Sequence, residues 1–191
     1  MRPALKRAFT IGLATVGVAA TTSVYRSRIR PRLLRWGVTE EEAVRRLPGD
    51  DEVLQPRAQF TYAITIEARP QDIWPWLAQM GYHGYDRAGW YAYDLFDNDN
   101  LPSADRIIPE FQHPEVGQRV GEEGFRIITL DPPHALVLAY HYDTISWVVK
   151  QGIWPLYGHC SWAFVLAPLD GHHTRLIARS RLAFRPRNPM E

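Results

Sequence analysis

The sequence predicts an α+β fold: a first strand, a pair of short helices after it, then an antiparallel meander to the C-terminal end. Three observations predict it. Phe60, Tyr62, Ile64 and Ile66 alternate with Thr61, Ala63, Thr65 and Glu67, a period of two that reads as a strand with one buried apolar face. Ile73, Trp76, Leu77 and Met80 fall at i, i+3, i+4 and i+7, one apolar face of a helix. From about residue 117 onward, strand-like runs are separated by turn residues.

Taken in order, residues 1–38 form a basic, apolar segment. Ala8–Tyr25 contains no charge and would span about 27 Å as a helix, slightly short of a ~30 Å hydrocarbon core. A transmembrane anchor fits that run and its basic flanks. A cleaved signal peptide fits Arg2, Lys6 and Arg7 followed by Val18-Ala19-Ala20. A buried or frayed helix is the third reading. Arg26, Arg28, Arg30, Arg32 and Arg35 resist translocation, so an anchored body is expected to stay on the cytoplasmic side. The same cluster is attracted to anionic lipid. The alternative localisation is soluble and cytoplasmic.

Residues 39–58 are expected to be a short helix and a linker. Thr39 and Glu42 have the spacing of a capping box, and Glu40–Glu42 suit the positive end of the helix dipole. Pro48-Gly49-Asp50-Asp51 ends that helix as a turn.

Residues 59–191 form the main domain. After the first strand, Pro70 suits the first helical position, Pro75 interrupts the backbone bonding of the helix, and Gly81 stops it. Residues 81–115 are rich in turns and aromatics, with a short helix expected over Trp90–Asp97. Strands are expected at about 117–121, 124–131, 135–143, 159–168 and 173–184, the last two joined by a hairpin at Leu169-Asp170-Gly171-His172.

Composition narrows the function. The single cysteine excludes an intrachain disulfide scaffold, and 46% hydrophobic residues are enough to build a core. The net charge of +1 is a cancellation. Residues 1–39 hold eight basic residues and no acid, whereas residues 40–191 hold fourteen basic and twenty-one acidic ones. An acidic body argues against nucleic acid as a partner. The sequence contains no Gly-x-Gly-x-x-Gly, Walker loop, Gly-x-Ser-x-Gly elbow or HExxH, so no cofactor and no metal is implied. His172-His173 reads as a solvated turn and Cys160 as a small residue buried on a strand.

Six segments in order, Trp36-Gly-Val-Thr-Glu-Glu-Glu-Ala, Leu47-Pro-Gly-Asp, Trp74-Pro-Trp-Leu-Ala-Gln-Met-Gly, Gly89-Trp-Tyr-Ala-Tyr-Asp, Ser103-Ala-Asp-Arg-Ile-Ile-Pro-Glu and Trp162-Ala-Phe-Val-Leu, form a recognisable series. Together they resemble an uncharacterised bacterial branch of the SRPBCC superfamily, which includes START-type lipid carriers and polyketide cyclases/dehydrases. The likeness covers about residues 36–184. It implies a helix-grip fold, a curved antiparallel sheet around a long C-terminal helix with an apolar cavity between them. Only seven residues follow Phe184, so that helix is expected to be missing, through truncation or a frameshift or because another segment covers the sheet.

The resemblance implies a binding protein for an apolar small molecule or lipid, with an enzyme of the cyclase/dehydratase kind as one alternative. A protein-interaction module whose open sheet accepts a partner is another. Candidate ligand-binding residues are Trp74, Trp90, Tyr91, Tyr93, Asp94, Arg106, Tyr140 and Trp162. Asp94, Arg106 and His141 are the candidates for acid/base work, though an Asp–Arg pair pinning a loop is the simpler role. Arg175, Arg179 and Arg181 share one face of the last strand with Ile177, reading as an exposed face, a cavity lining or a headgroup contact.

Overall fold

The meander and the first strand form a five-stranded antiparallel sheet: β1 (Ala58–Ile66), β2 (Arg126–Asp131), β3 (Ala135–Tyr142), β4 (Leu156–Pro168) and β5 (Thr174–Pro186). The strand order is β1-β5-β4-β3-β2, so the first and last strands pair and the β1–β2 connection joins strands at opposite edges of the sheet. The computed structural model describes residues 23–25, 27, 30–83, 87–91, 101–121, 124–142 and 156–186, with backbone alone at 31, 141, 142, 156, 157 and 184–186.

The chain divides into two compact units, residues 1–36 and 37–191. In the first, a four-residue helix, α1 (Arg30–Leu33), is described, and most of the uncharged run lies outside the described residues. Among the described residues no helix is long and apolar enough to cross a membrane.

The second unit opens on α2 (Glu40–Val44), and its N-terminus follows the sequence closely. Thr39 Oγ1 accepts from the Glu42 N–H at 3.1 Å, and the Glu42 carboxylate accepts from the Thr39 N–H at 2.8 Å, the reciprocal capping box. Residues 47–53 do more than connect. Leu47, Asp50 and Val53 are buried, and Leu47 packs with Ala63 and Ile177 on one face of the sheet. Gly49 makes this approach possible, because it sits at φ 83° and a Cβ there would collide with the Val137 side chain.

This strap changes the reading of β1. The residues buried deepest on that strand are Thr61 and Ala63, under the strap, whereas Tyr62 and Ile64 on the apolar face are 40% and 41% exposed. The alternation locates the strand correctly. Which face is covered depends on residues 37–57, which pack on the Thr61/Ala63 side.

The strap also claims Arg175, Arg179 and Arg181 of β5, which are neither a free surface nor a cavity lining. Arg175 forms two hydrogen bonds to the Glu42 carboxylate, at 2.7 and 2.8 Å, and another to the Gly37 carbonyl. Arg179 is 2% exposed; it donates to the Asp50 carboxylate at 2.8 Å and to the carbonyls of Glu42, Ala43 and Arg45. Arg181 donates to the Val53 carbonyl and lies 3.3 Å from Asp50. Arg179 thereby satisfies the carbonyls at the C-terminal end of α2 and places a cation at the negative end of its dipole.

The Arg175 guanidinium holds the Glu42 carboxyl down at about 2, against an ordinary 4.5 and against the opposing push of burial. A depressed carboxyl stabilises the fold fully above its unfolded value and loses that contribution as pH falls through the folded one. Unfolding at stepped pH should therefore show a loss of stability from about pH 4.5 down to pH 2. Glu42→Gln should remove this component and cost about 2 kcal/mol at neutral pH; an unchanged acid slope would contradict it.

The opposite face of the sheet carries the larger core, Ile127, Leu136, Leu138, Phe164 and Leu166, covered by Ile73, Leu77 and Met80 from the β1–β2 connection and by Val120. Each such side chain contributes roughly 1.5–3 kcal/mol when fully buried. The connection contains α3 (Pro70–Ala78), with Pro70 at its start and Pro75 inside it, and a 3-10 turn at Pro109–Phe111. A second helix after β1 is not found among the described residues. Trp90 and Tyr91 are not helical, and residues 92–97 of the helix expected there lie outside the described set. Residues 117–121 contribute only a single bridge, Arg119 to Arg126, rather than a strand. The β4–β5 hairpin forms as read, its turn held by the Asp170 carboxylate accepting from the His172 and His173 N–H groups at 2.7 and 2.8 Å. Cys160 is buried on β4.

Candidate functional site

Between α3 and the apolar face of β5 and β4 lies a cavity of about 430 Å³, within the range of small-molecule pockets. The periodic face of α3 lines one wall with Ile73, Trp76 and Leu77, continued by Met80. Phe164 and Leu176 form the floor, Ile66 and Ala68 one end, and Trp90 and Tyr91 the other. The polar lining residues are Asp72 and Tyr91. Asp72 is engaged by Arg69 at 2.9 Å on the exposed start of α3, which leaves Tyr91 as the polar group of the aromatic end.

The aromatic wall extends well behind that lining. The Tyr91 and Trp76 rings meet edge to face with centroids 5.6 Å apart. Trp90 stacks on Trp162 at 5.7 Å, Trp162 touches Phe164 at 4.8 Å, and Phe125 bridges Trp90 and Tyr140. Such pairs contribute about 0.5–1.5 kcal/mol each beyond the area they bury, so this end of the cavity is rigid.

Tyr91 is fixed by its surroundings. Its φ is 54°, left-handed and uncommon for an aromatic residue. Its N–H donates to Ser103 Oγ at 3.0 Å, and its hydroxyl is bonded by Gln79. Segment 87–91 is stitched to the end of α3 through paired Gly81–Gly89 backbone bonds of 3.0 and 2.8 Å and an Ala88 N–H to Gln79 carbonyl bond of 2.9 Å.

Gln79 is the hub. It is fully buried; its Nε2 donates to the Tyr91 hydroxyl and to the Arg106 carbonyl at 3.0 Å. Its Oε1 accepts from the Ile108 N–H at 2.9 Å and from Gln112 Nε2 at 3.1 Å. One side chain therefore ties α3, segment 87–91 and segment 106–112 together.

Arg87 caps the same helix from the other side. It is 3% exposed, donates to the Ala78 carbonyl and, at 3.1 Å, to the Met80 carbonyl, and lies 5.9 Å over the Phe111 ring. Burial pushes its pKa below the ordinary value, partly offset by Tyr91. Burial pushes the Tyr91 phenol upward, offset by the Gln79 bond and the Arg87 charge, so the hydroxyl keeps its proton at neutral pH.

Of the candidates named from sequence, Trp90 and Tyr91 line the cavity, and Trp162 and Tyr140 belong to the aromatic wall behind it. Trp74 is half-buried against the core. Arg106 has an exposed side chain and enters the site through its carbonyl. Tyr93 and Asp94 lie outside the described residues, as does the side chain of His141, whose backbone stands opposite His159. Sequence reading missed Gln79 and Arg87 as site residues. Neither belongs to an apolar repeat or a catalytic motif, and their roles arise from segments that meet only in the fold.

No family model, no curated protein and no solved structure matches this chain.

Proposed function

We propose that this chain is a membrane-tethered helix-grip protein of the SRPBCC kind, which binds an apolar small molecule or lipid without transforming it. The observation that carries this reading is the cavity of about 430 Å³ beneath α3, walled by aliphatic and aromatic side chains. A sheet ordered β1-β5-β4-β3-β2, with its helix inserted between β1 and β2, suits that fold family. The tether rests on the uncharged run 8–25 and the arginines that follow it. Exposed Tyr62 and Ile64 favour a second reading, in which a partner segment covers β1.

The test is fractionation of cells expressing the full chain, followed by native mass spectrometry of the purified protein. The chain is expected in the membrane fraction, with a mass excess corresponding to one small apolar molecule. A soluble chain would overturn the tether. A bare mass, together with no saturable displacement of an anilinonaphthalene probe by added lipid, would overturn the ligand reading.

A further inference from the structure

The hydrogen-bond polarity at Gln79 specifies what the cavity presents to its occupant. The Ile108 N–H can only donate and the Arg106 carbonyl can only accept, so the two ends of the Gln79 amide are assigned without ambiguity. Nε2 is therefore the group facing Tyr91, and the Tyr91 oxygen accepts. A phenol that accepts from Gln79 still carries its own proton. No acceptor for that proton is found among the described residues, while the residue lines the cavity. The buried cation of Arg87, partnered by the Ala78 and Met80 carbonyls and by no carboxylate among the described residues, acts on the Tyr91 phenol through its charge, and its field favours an electron-rich group beside that hydroxyl.

We infer that Tyr91 donates a hydrogen bond to an oxygen of the bound molecule, so the cavity takes an apolar chain ending in a carbonyl or carboxylate rather than a bare hydrocarbon or an amine. This rests on the ligand-binding reading above and adds to it the chemistry of the ligand's polar end. Left-handed Tyr91, held by Ser103 and Gln79, is a preorganised donor at a 37% exposed edge of the lining, whose other polar residue, Asp72, is engaged by Arg69.

The test titrates the full chain with 2-undecanone, decanoate, decylamine and 1-chlorodecane, read by calorimetry and by tryptophan emission, since Trp76 and Trp90 line the cavity. The ketone and the carboxylate are expected to bind at least tenfold more tightly than the amine. Tyr91→Phe should weaken the ketone and the carboxylate about fivefold and leave 1-chlorodecane unchanged. Loss of the carboxylate alone on acidification, with the ketone no tighter than 1-chlorodecane, would assign the preference to the Arg87 charge and overturn the donor role, whereas ketone binding equal to that of the carboxylate would support it. Equal affinities across the four probes, or a Tyr91→Phe variant that binds all of them as the wild type does, would overturn the inference while leaving the cavity reading intact. Failure of every probe to saturate would overturn the cavity reading itself. Should Tyr91→Phe not fold, the wild-type ketone-to-chloroalkane ratio decides, a ratio of one or less counting against the donor.

Discussion

Arg179→Met is expected to lower the unfolding free energy by about 3–5 kcal/mol, the cost of removing one partner from a buried ion pair. Arg179 is 2% exposed, and its loss leaves the Asp50 carboxylate with only Arg181, at 3.3 Å, and the Leu47 N–H, and takes a donor from the carbonyls of Glu42, Ala43 and Arg45. Denaturant unfolding of the full chain measures this. The exposed Arg69–Asp72 pair supplies the control, and Arg69→Ala should leave the midpoint where it was. Converting both buried partners, Arg179→Met with Asp50→Leu, should recover part of the loss, because the buried carboxylate goes with its closest cation and Arg181 keeps its bond to the Val53 carbonyl. A midpoint for Arg179→Met equal to that of Arg69→Ala would show that the strap is not held by this pair. The strap covers the Thr61/Ala63 face of β1, so its detachment should also increase hydrogen exchange across β1 and β5.

Gln79→Leu is expected to cost about 2–4 kcal/mol, from the unpaired Ile108 N–H and Arg106 carbonyl and the loss of the Gln112 contact. Leucine fits the space closely enough that a cavity is not the main cause. The same substitution frees the Tyr91 hydroxyl from its only described partner and loosens the aromatic end of the cavity. Ligand affinity should fall by more than in Tyr91→Phe, with a faster off-rate, since the wall that excludes water also moves. Thermal unfolding and probe titration on one preparation separate the two effects. Unchanged stability would show that segment 106–112 is held by something other than Gln79.

The parts of the fold that were legible share one property: each is encoded within a few consecutive residues. The capping box needs only Thr39 and Glu42, the helix face only Ile73 to Met80, and the hairpin only the turn at 169–172. The candidate site was legible in part. Trp90 and Tyr91 stand out as aromatics in a turn-rich stretch, and both line the cavity. Gln79 and Arg87 do not stand out, because a buried glutamine and an arginine read in sequence as ordinary polar residues. Their meaning comes from carbonyls and hydroxyls supplied by other segments.

By itself, the sequence determined the α+β class, the positions of β1, α3 and the β3–β5 strands, and the division of charge into +8 over residues 1–39 and −7 over residues 40–191. Periodicity and charge count are properties of one segment, and no fold is needed to evaluate them. Only the tertiary structure decided that β1 hides Thr61 and Ala63 rather than Tyr62 and Ile64, and that Arg175, Arg179 and Arg181 are internal anchors. Only it brought the Tyr91 hydroxyl onto the Gln79 amide and Tyr91 into the lining of the cavity. The reason is separation along the chain. Arg179 meets Asp50 across 129 residues and Gln79 meets Ile108 across 29, so the partners that set burial, charge pairing and hydrogen-bond direction are brought together by packing alone.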